Sequence, residues 1–191
     1  MEGAPGIPRA LLSERLRQLE HFGVITRTPN PRGRGYLYEP TEAGLELQPV
    51  CDALGTWGAR WLELAPAHLD AHMVLWSMCR CMDGTGLTDE RVVARFDLSD
   101  GDPQRFWVFA QRPRSEVCVK PPGFDEDLVV RTDSESLAKW QMGWMSLGSG
   151  QRQGLIKVQG PLHLQRELAG WAGRHQFKDA RPARGAGVKV S

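Results

Sequence analysis

Residues 7–44, IPRALLSERLRQLEHFGVITRTPNPRGRGYLYEPTEAG, are the stretch on which the fold of the chain turns. From Pro8 to Glu20 the residues Leu12, Leu16 and Leu19 recur at helical spacing, Pro8 suits a first-turn position, and Gly23 supplies a stop after His21 and Phe22. The spacing predicts one short amphipathic helix. On another side of it Arg9, Ser13 and Arg17 recur every four residues, so their side chains project together away from the leucine stripe. Residues 24–28 then have the pattern of a strand, 29–35 that of a turn-rich loop carrying Arg32 and Arg34, and 36–39 that of a returning strand.

A helix followed by a hairpin with a basic tip is the order of a recognition helix and a wing. The expectation is that Arg9, Ser13 and Arg17 face the major groove of double-stranded DNA, with Arg32 and Arg34 toward backbone or minor groove. Total charge makes no such case, because 24 basic residues stand against 23 acidic ones in 191. The excess is local: between Arg9 and Arg34 six arginines face only Glu14 and Glu20.

The segments LLSERLRQLEHFGVITR, YLYEPTEAG and LQPVCDALGTWGARW together resemble the HxlR family of winged-helix transcription regulators, relatives of the MarR group. Members of that family place two further helices ahead of the recognition helix, whereas only MEGAPG precedes it here. The resemblance therefore implies a partial winged helix-turn-helix domain, over residues 1–65, with an incomplete trihelical core. The alternative it leaves is a small-molecule or lipid-binding module that has lost DNA binding through truncation.

Thr41 is a candidate N-cap for a helix running to about residue 64, bent at Pro49. Along it Leu47, Val50, Leu54, Trp57, Trp61 and Leu64 alternate in steps of three and four, the spacing of a coiled-coil seam. Such a seam must be covered, and the same helix of a second subunit is the expected cover. A homodimer would present two reading helices to a palindromic site about one helical turn apart.

Ala65-Pro66 marks a boundary between two units. A helix is expected over 67–82, apolar on several sides from Met73 to Met82, and then short strands at 91–98, 106–110, 116–119 and 128–132 separated by Pro and Gly. In the first of these Val92, Ala94, Phe96 and Leu98 share one face, Val93, Arg95 and Asp97 the other. A meandering antiparallel sheet accounts for them. Asp133 can cap a helix from 134 to about 147 with Leu137, Trp140, Trp144 and Leu147 in one stripe; a strand at 155–159 and a closing helix with Leu164, Leu168 and Trp171 follow. The fold class is α+β with a mainly antiparallel sheet.

The segments DLVVRTDSESLAKWQMGW and GLIKVQGPLHL and the closing helix are similar to the sterol-carrier-protein type of lipid-binding domain, over residues 66–173 by element order. That resemblance implies a cavity between sheet and helices for an apolar small-molecule effector. The candidate lining is Trp76, Phe106, Phe109, Trp140, Trp144 and Met145, among the large aromatic and flexible groups from which ligand pockets are built.

Other chemistry finds little support. The cysteines Cys51, Cys79, Cys81 and Cys118 have no metal spacing, and His68 with His72 lack further ligands, so neither metal nor cofactor is expected. DGTG at Asp83 lacks the ending of a phosphate loop, and the carboxylates of Asp125, Glu126 and Asp127 have the pattern of a solvated turn; the chain is not expected to be an enzyme. No stretch is long and apolar enough for a bilayer and no signal-peptide pattern opens the chain, so a cytoplasmic protein with no membrane partner is expected. Residues 174–191 read as a disordered basic tail.

Overall fold

The computed structural model describes residues 7–31, 33–62, 69–82, 87, 89–100, 104–121, 123, 125–173 and 177–180. The chain divides into two compact units, residues 1–58 and 59–191.

In the first unit α1 (Arg9–His21) is followed by the antiparallel pair β1 (Ile25–Pro29) and β2 (Tyr36–Pro40), then by α2 (Glu42–Glu46). The chain leaves α1 through Gly23, whose φ of 68° is open to glycine at no steric cost. Thr41 caps α2 as expected, its hydroxyl oxygen accepting from the Gly44 N–H at 3.1 Å. The long helix expected beyond it is two helices: α2 stops at Glu46, and α3 (Gln48–Trp61) starts anew with Pro49 in its first turn. Proline is pre-organised there and has no N–H to lose, so a break costs less than a kink within one continuous helix.

Among the described residues of this unit none is fully buried, while Leu11, Leu19, Phe22, Leu45, Val50, Leu54 and Trp57 are all exposed. With so little apolar surface withdrawn from water, the hairpin and helices stand on backbone bonding and half-buried contacts rather than on a core.

In the second unit, Asp70 caps α4 (Ala71–Cys81), its carboxylate accepting from the N–H groups of His72 and Met73. The strands β3 (Arg91–Leu98), β4 (Gln104–Gln111), β5 (Glu116–Cys118), β6 (Leu128–Thr132) and β7 (Lys157–Gln159) form one sheet in the order β5-β4-β3-β6-β7. Three pairings are antiparallel, but β3 and β6 run parallel at the centre, so the sheet is mixed rather than a meander. The reason lies in β3 itself. Buried residues stand on both its faces, Val92 and Ala94 on one and Val93 on the other, and such a strand belongs inside a sheet with a partner on each side.

The core lies against the face that carries Val92, Ala94, Phe96, Leu98, Phe106, Val108, Ala110, Leu128 and Val130. Leu75 and Met78 of α4, and Leu137 and Trp140 of α5 (Ser134–Gln141), pack into it. The expected alternation of β3 holds. α5 ends earlier than its stripe implies: Gly143 turns the chain at φ 70°, so Trp144 leaves the helix, and a separate α6 (Leu147–Arg152) starts at the cap Ser146. The closing helix is α7 (Leu162–Leu168), with Leu164 and Leu168 in the core and Trp171 just beyond it.

On the opposite face Asp125 and Asp127 of the acidic turn are exposed, as a solvated turn requires, while Glu126 and Asp127 are also held by hydrogen bonds. The Trp107 indole N–H donates to Glu126 at 3.1 Å, Arg95 bridges Asp97 at 3.0 Å and Glu126 at 3.3 Å, and the Val93 N–H donates to Asp127 at 2.8 Å. The Trp107 bond, and then Arg95, hold the Glu126 carboxyl below the usual carboxylate range. Within the tail, residues 177–180 form a turn in which Ala180 is 4% exposed, while 174–176 and 181–191 lie outside the described residues.

Candidate nucleic-acid interface

The side of α1 that faces outward follows from which of its leucines are half-buried. Leu12 and Leu16 are, whereas Leu11 and Leu19 are exposed. At about 100° per residue, the direction opposite their midpoint passes through Glu14, with His21 and Gln18 close beside it. Arg17 lies about 60° from that centre, Ser13 about 100° and Arg9 about 140°. All six are exposed, and Glu14, Arg17, Gln18, His21 and Phe22 line one open groove. The row Arg9, Ser13, Arg17 therefore lies to one side of that direction, and Arg17 is the member of the row nearest to it. Glu14, Gln18 and His21 escape a search for basic residues, although the angle from the leucine stripe is available to the sequence.

Arg17 lies folded along the helix, its Nε donating to the Ser13 carbonyl at 3.3 Å. Gln18 joins its neighbours, accepting from Arg15 Nη1 at 3.0 Å and donating from Nε2 to Glu14 at 3.4 Å.

The hairpin is held at both ends. Near its tip the Arg27 guanidinium lies 3.5 Å from the centre of the Tyr36 ring, and the Asn30 N–H donates to the Gly35 carbonyl at 3.0 Å. Gly35, at φ 104°, adopts the backbone that the turn into β2 requires. Arg34 is exposed at the tip; Arg32 lies outside the described residues. At the base, Thr41 donates from its hydroxyl to the Gly23 carbonyl at 2.5 Å and from its N–H to the Val24 carbonyl at 3.0 Å. Gly44 brings α2 against that same Val24 carbonyl, where a Cβ has no room. The Thr-Glu-x-Gly word of the sequence is thus the clasp that joins helix, hairpin and α2.

In the second unit the six candidate lining residues do not converge. Phe106 and Trp140 are buried in the core, 6% and 2% exposed, with Trp140 stacked on Phe96 at 6.5 Å between centroids. Phe109 pairs with Val93, on the other face of the sheet from Phe106. Trp76 is half-buried under Arg80 at 5.5 Å, and Met145 is half-buried near Gly150 and Ile156. Trp144 is half-buried, and its indole N–H has no partner among the described residues.

Cys79 is buried, and desolvation pushes its thiol up to about 12, so it is not a reactive centre; Cys51 is exposed. Among the described residues no three His, Cys, Asp or Glu side chains could hold a metal, and His68 lies outside them. Among the described residues no helix is long and apolar enough to cross a membrane.

Comparison with known proteins agrees with the resemblance of the first unit. Over 64 residues, 33% of this chain, it is 39% identical to an uncharacterized HTH-type transcriptional regulator of Synechocystis sp., of which it spans about half, 47%. Solved structures similar over part of the chain include the sterol carrier protein domain 2 of Helicoverpa armigera, 20% identical with a TM-score of 0.39 over 46% of this chain and 70% of that one. Another is the stereoselective inverting sec-alkylsulfatase of a Pseudomonas species, 13% identical with a TM-score of 0.42 over 56% of this chain and 15% of that one. Residues 1–66, the segment that holds α1, the hairpin and the Thr41–Gly44 clasp, match the HxlR-like helix-turn-helix family.

Proposed function

We propose that the chain is a DNA-binding transcriptional regulator of HxlR type, acting in the cytoplasm as a homodimer, whose second unit senses an apolar small molecule. The observation that carries this reading is the outward side of α1. None of the thirteen residues of the helix is buried, and Arg17 stands in an open groove beside Gln18 and His21. In this reading Arg17 reaches a base edge, Arg9 and Ser13 meet flanking phosphates, and Arg34, with Arg32, lies along the backbone beside the wing.

A gel shift with the full chain on duplex DNA, at stated salt, tests it. Affinity falls as salt rises, by close to one power of concentration for each phosphate neutralised. Arg17→Ala weakens binding to a selected site by roughly tenfold to hundredfold, the value of a bidentate base contact. Salt-independent binding, or none, leaves the alternative of a small-molecule module without DNA affinity.

The dimer rests on α3. Val50, Leu54 and Trp57 are 62%, 68% and 51% exposed, a contiguous apolar stripe of the kind that marks an interface. Sedimentation at micromolar concentration is expected to give twice the chain mass, and Trp57→Glu, which buries a charge in the seam, the mass of one chain. A wild-type monomer removes the dimer.

For the sensor, the half-buried Trp76, Trp144 and Met145 are the members of the candidate lining that a ligand reaches without emptying the core; Phe106 and Trp140 lie deeper, and Phe109 on the other face. A ligand signals only through different affinities for two arrangements of the chain. The same gel shift with saturating long-chain acid, alcohol or sterol therefore decides it, and unchanged DNA affinity with all three removes the sensor.

A further inference from the structure

We propose that Glu14 is a specificity-determining residue of the interface, accepting a hydrogen bond from the exocyclic amine of a cytosine in the major groove. The inference rests on the DNA-binding reading and names what its central side chain recognises. Glu14 stands at the middle of the outward side of α1, in the same groove as Arg17, Gln18 and His21. It is also held. Arg15 Nη1 donates to Gln18 Oε1 at 3.0 Å, and Gln18 Nε2 donates to Glu14 Oε1 at 3.4 Å, a relay along one side of the helix. The second oxygen, Oε2, makes no bond among the described residues.

A carboxylate at the centre of a DNA-facing surface is repelled by phosphate, so it weakens binding to every sequence unless a donor meets it. In the major groove cytosine offers an amine donor as its distinguishing polar group. Adenine offers an amine too, but with the N7 acceptor beside it, which a carboxylate avoids and an amide such as glutamine matches. Guanine and thymine face it with acceptors. Glu14 thus discriminates by repulsion as much as by attraction: it subtracts affinity from all sites and restores it at one base. The neighbouring Arg17, whose fork matches guanine, gives the face its complementary donor.

The test is selection from randomised duplexes by the full chain at about 0.1 M salt, where phosphate attraction is partly screened. The wild type enriches a site with a fixed cytosine, preferred over other bases by roughly tenfold to hundredfold. Glu14→Gln loses that preference or moves it to adenine, keeps the other positions, and binds unrelated duplex severalfold more tightly. Because Glu14 is exposed, thermal melting of the variant matches the wild type. A Glu14→Gln or Glu14→Ala protein that selects the same cytosine overturns the role of Glu14 while leaving the DNA reading intact. A wild type that binds no duplex overturns both.

Discussion

Trp140→Ala is expected to destabilise the second unit by about 3–5 kcal/mol, the range for emptying a large aromatic site in a packed interior. The indole is 2% exposed, stacks on Phe96, and belongs to the same buried core as Leu75, Leu128 and Leu137, each 0% exposed. Neighbours already in close contact cannot collapse into the vacancy without leaving their rotamers, so the cavity term adds to the lost transfer energy. Against a total stability of 5–15 kcal/mol for an ordinary domain, roughly, the loss is a large fraction. Urea unfolding followed by far-ultraviolet circular dichroism measures it. A shift below about 1 kcal/mol would mean that Trp140 borders space able to take a ligand, returning it to the accessible lining.

The second large effect is expected at Gly44. On helix propensity alone, Gly44→Ala in α2 would stabilise by about 1 kcal/mol. The position reverses the sign. A Cβ there meets the Val24 carbonyl oxygen, with Val24 C and Pro40 Cβ each 3.2 Å away. The obstacle is backbone, already engaged by the Thr41 N–H, so it cannot rotate aside as a side chain would. α2 has to lift from the junction of α1 and the hairpin, at a cost in the upper part of the roughly 1–3 kcal/mol of overpacking. With no buried residue among those described in this unit to absorb the loss, limited proteolysis is expected to cut within residues 1–66 of the variant and spare the wild type, and on the proposed function DNA binding is lost alongside. An alanine variant as protected as the wild type would show that the clasp is not what holds the hairpin.

The two substitutions act on different kinds of information. The clasp was visible as a word, Thr-Glu-x-Gly, but its purpose was not, since nothing in the word says that the glycine lies against a carbonyl twenty residues earlier. The opposite holds for Phe106 and Phe109. They stand three apart in a strand, an odd step that alternation places on opposite faces, so a shared cavity wall was already excluded by the sequence. The structure adds which face carries the core.

The sequence by itself determined the local elements: the helix ahead of the hairpin, the caps at Thr41 and Asp133, and the alternation of Val92, Ala94, Phe96 and Leu98. Each depends on periodicity or on a hydrogen bond spanning three or four residues, so its cause lies within the element. The place of Glu14 opposite the leucine stripe of α1 was already in the sequence as well. Tertiary structure decided the parallel placement of β6 beside β3, the departure of Trp144 from α5, and the hold of Trp107 and Arg95 on Glu126. These three are settled by which distant surfaces exclude water together, and a strand or helix pattern is compatible with several such partners until packing selects one.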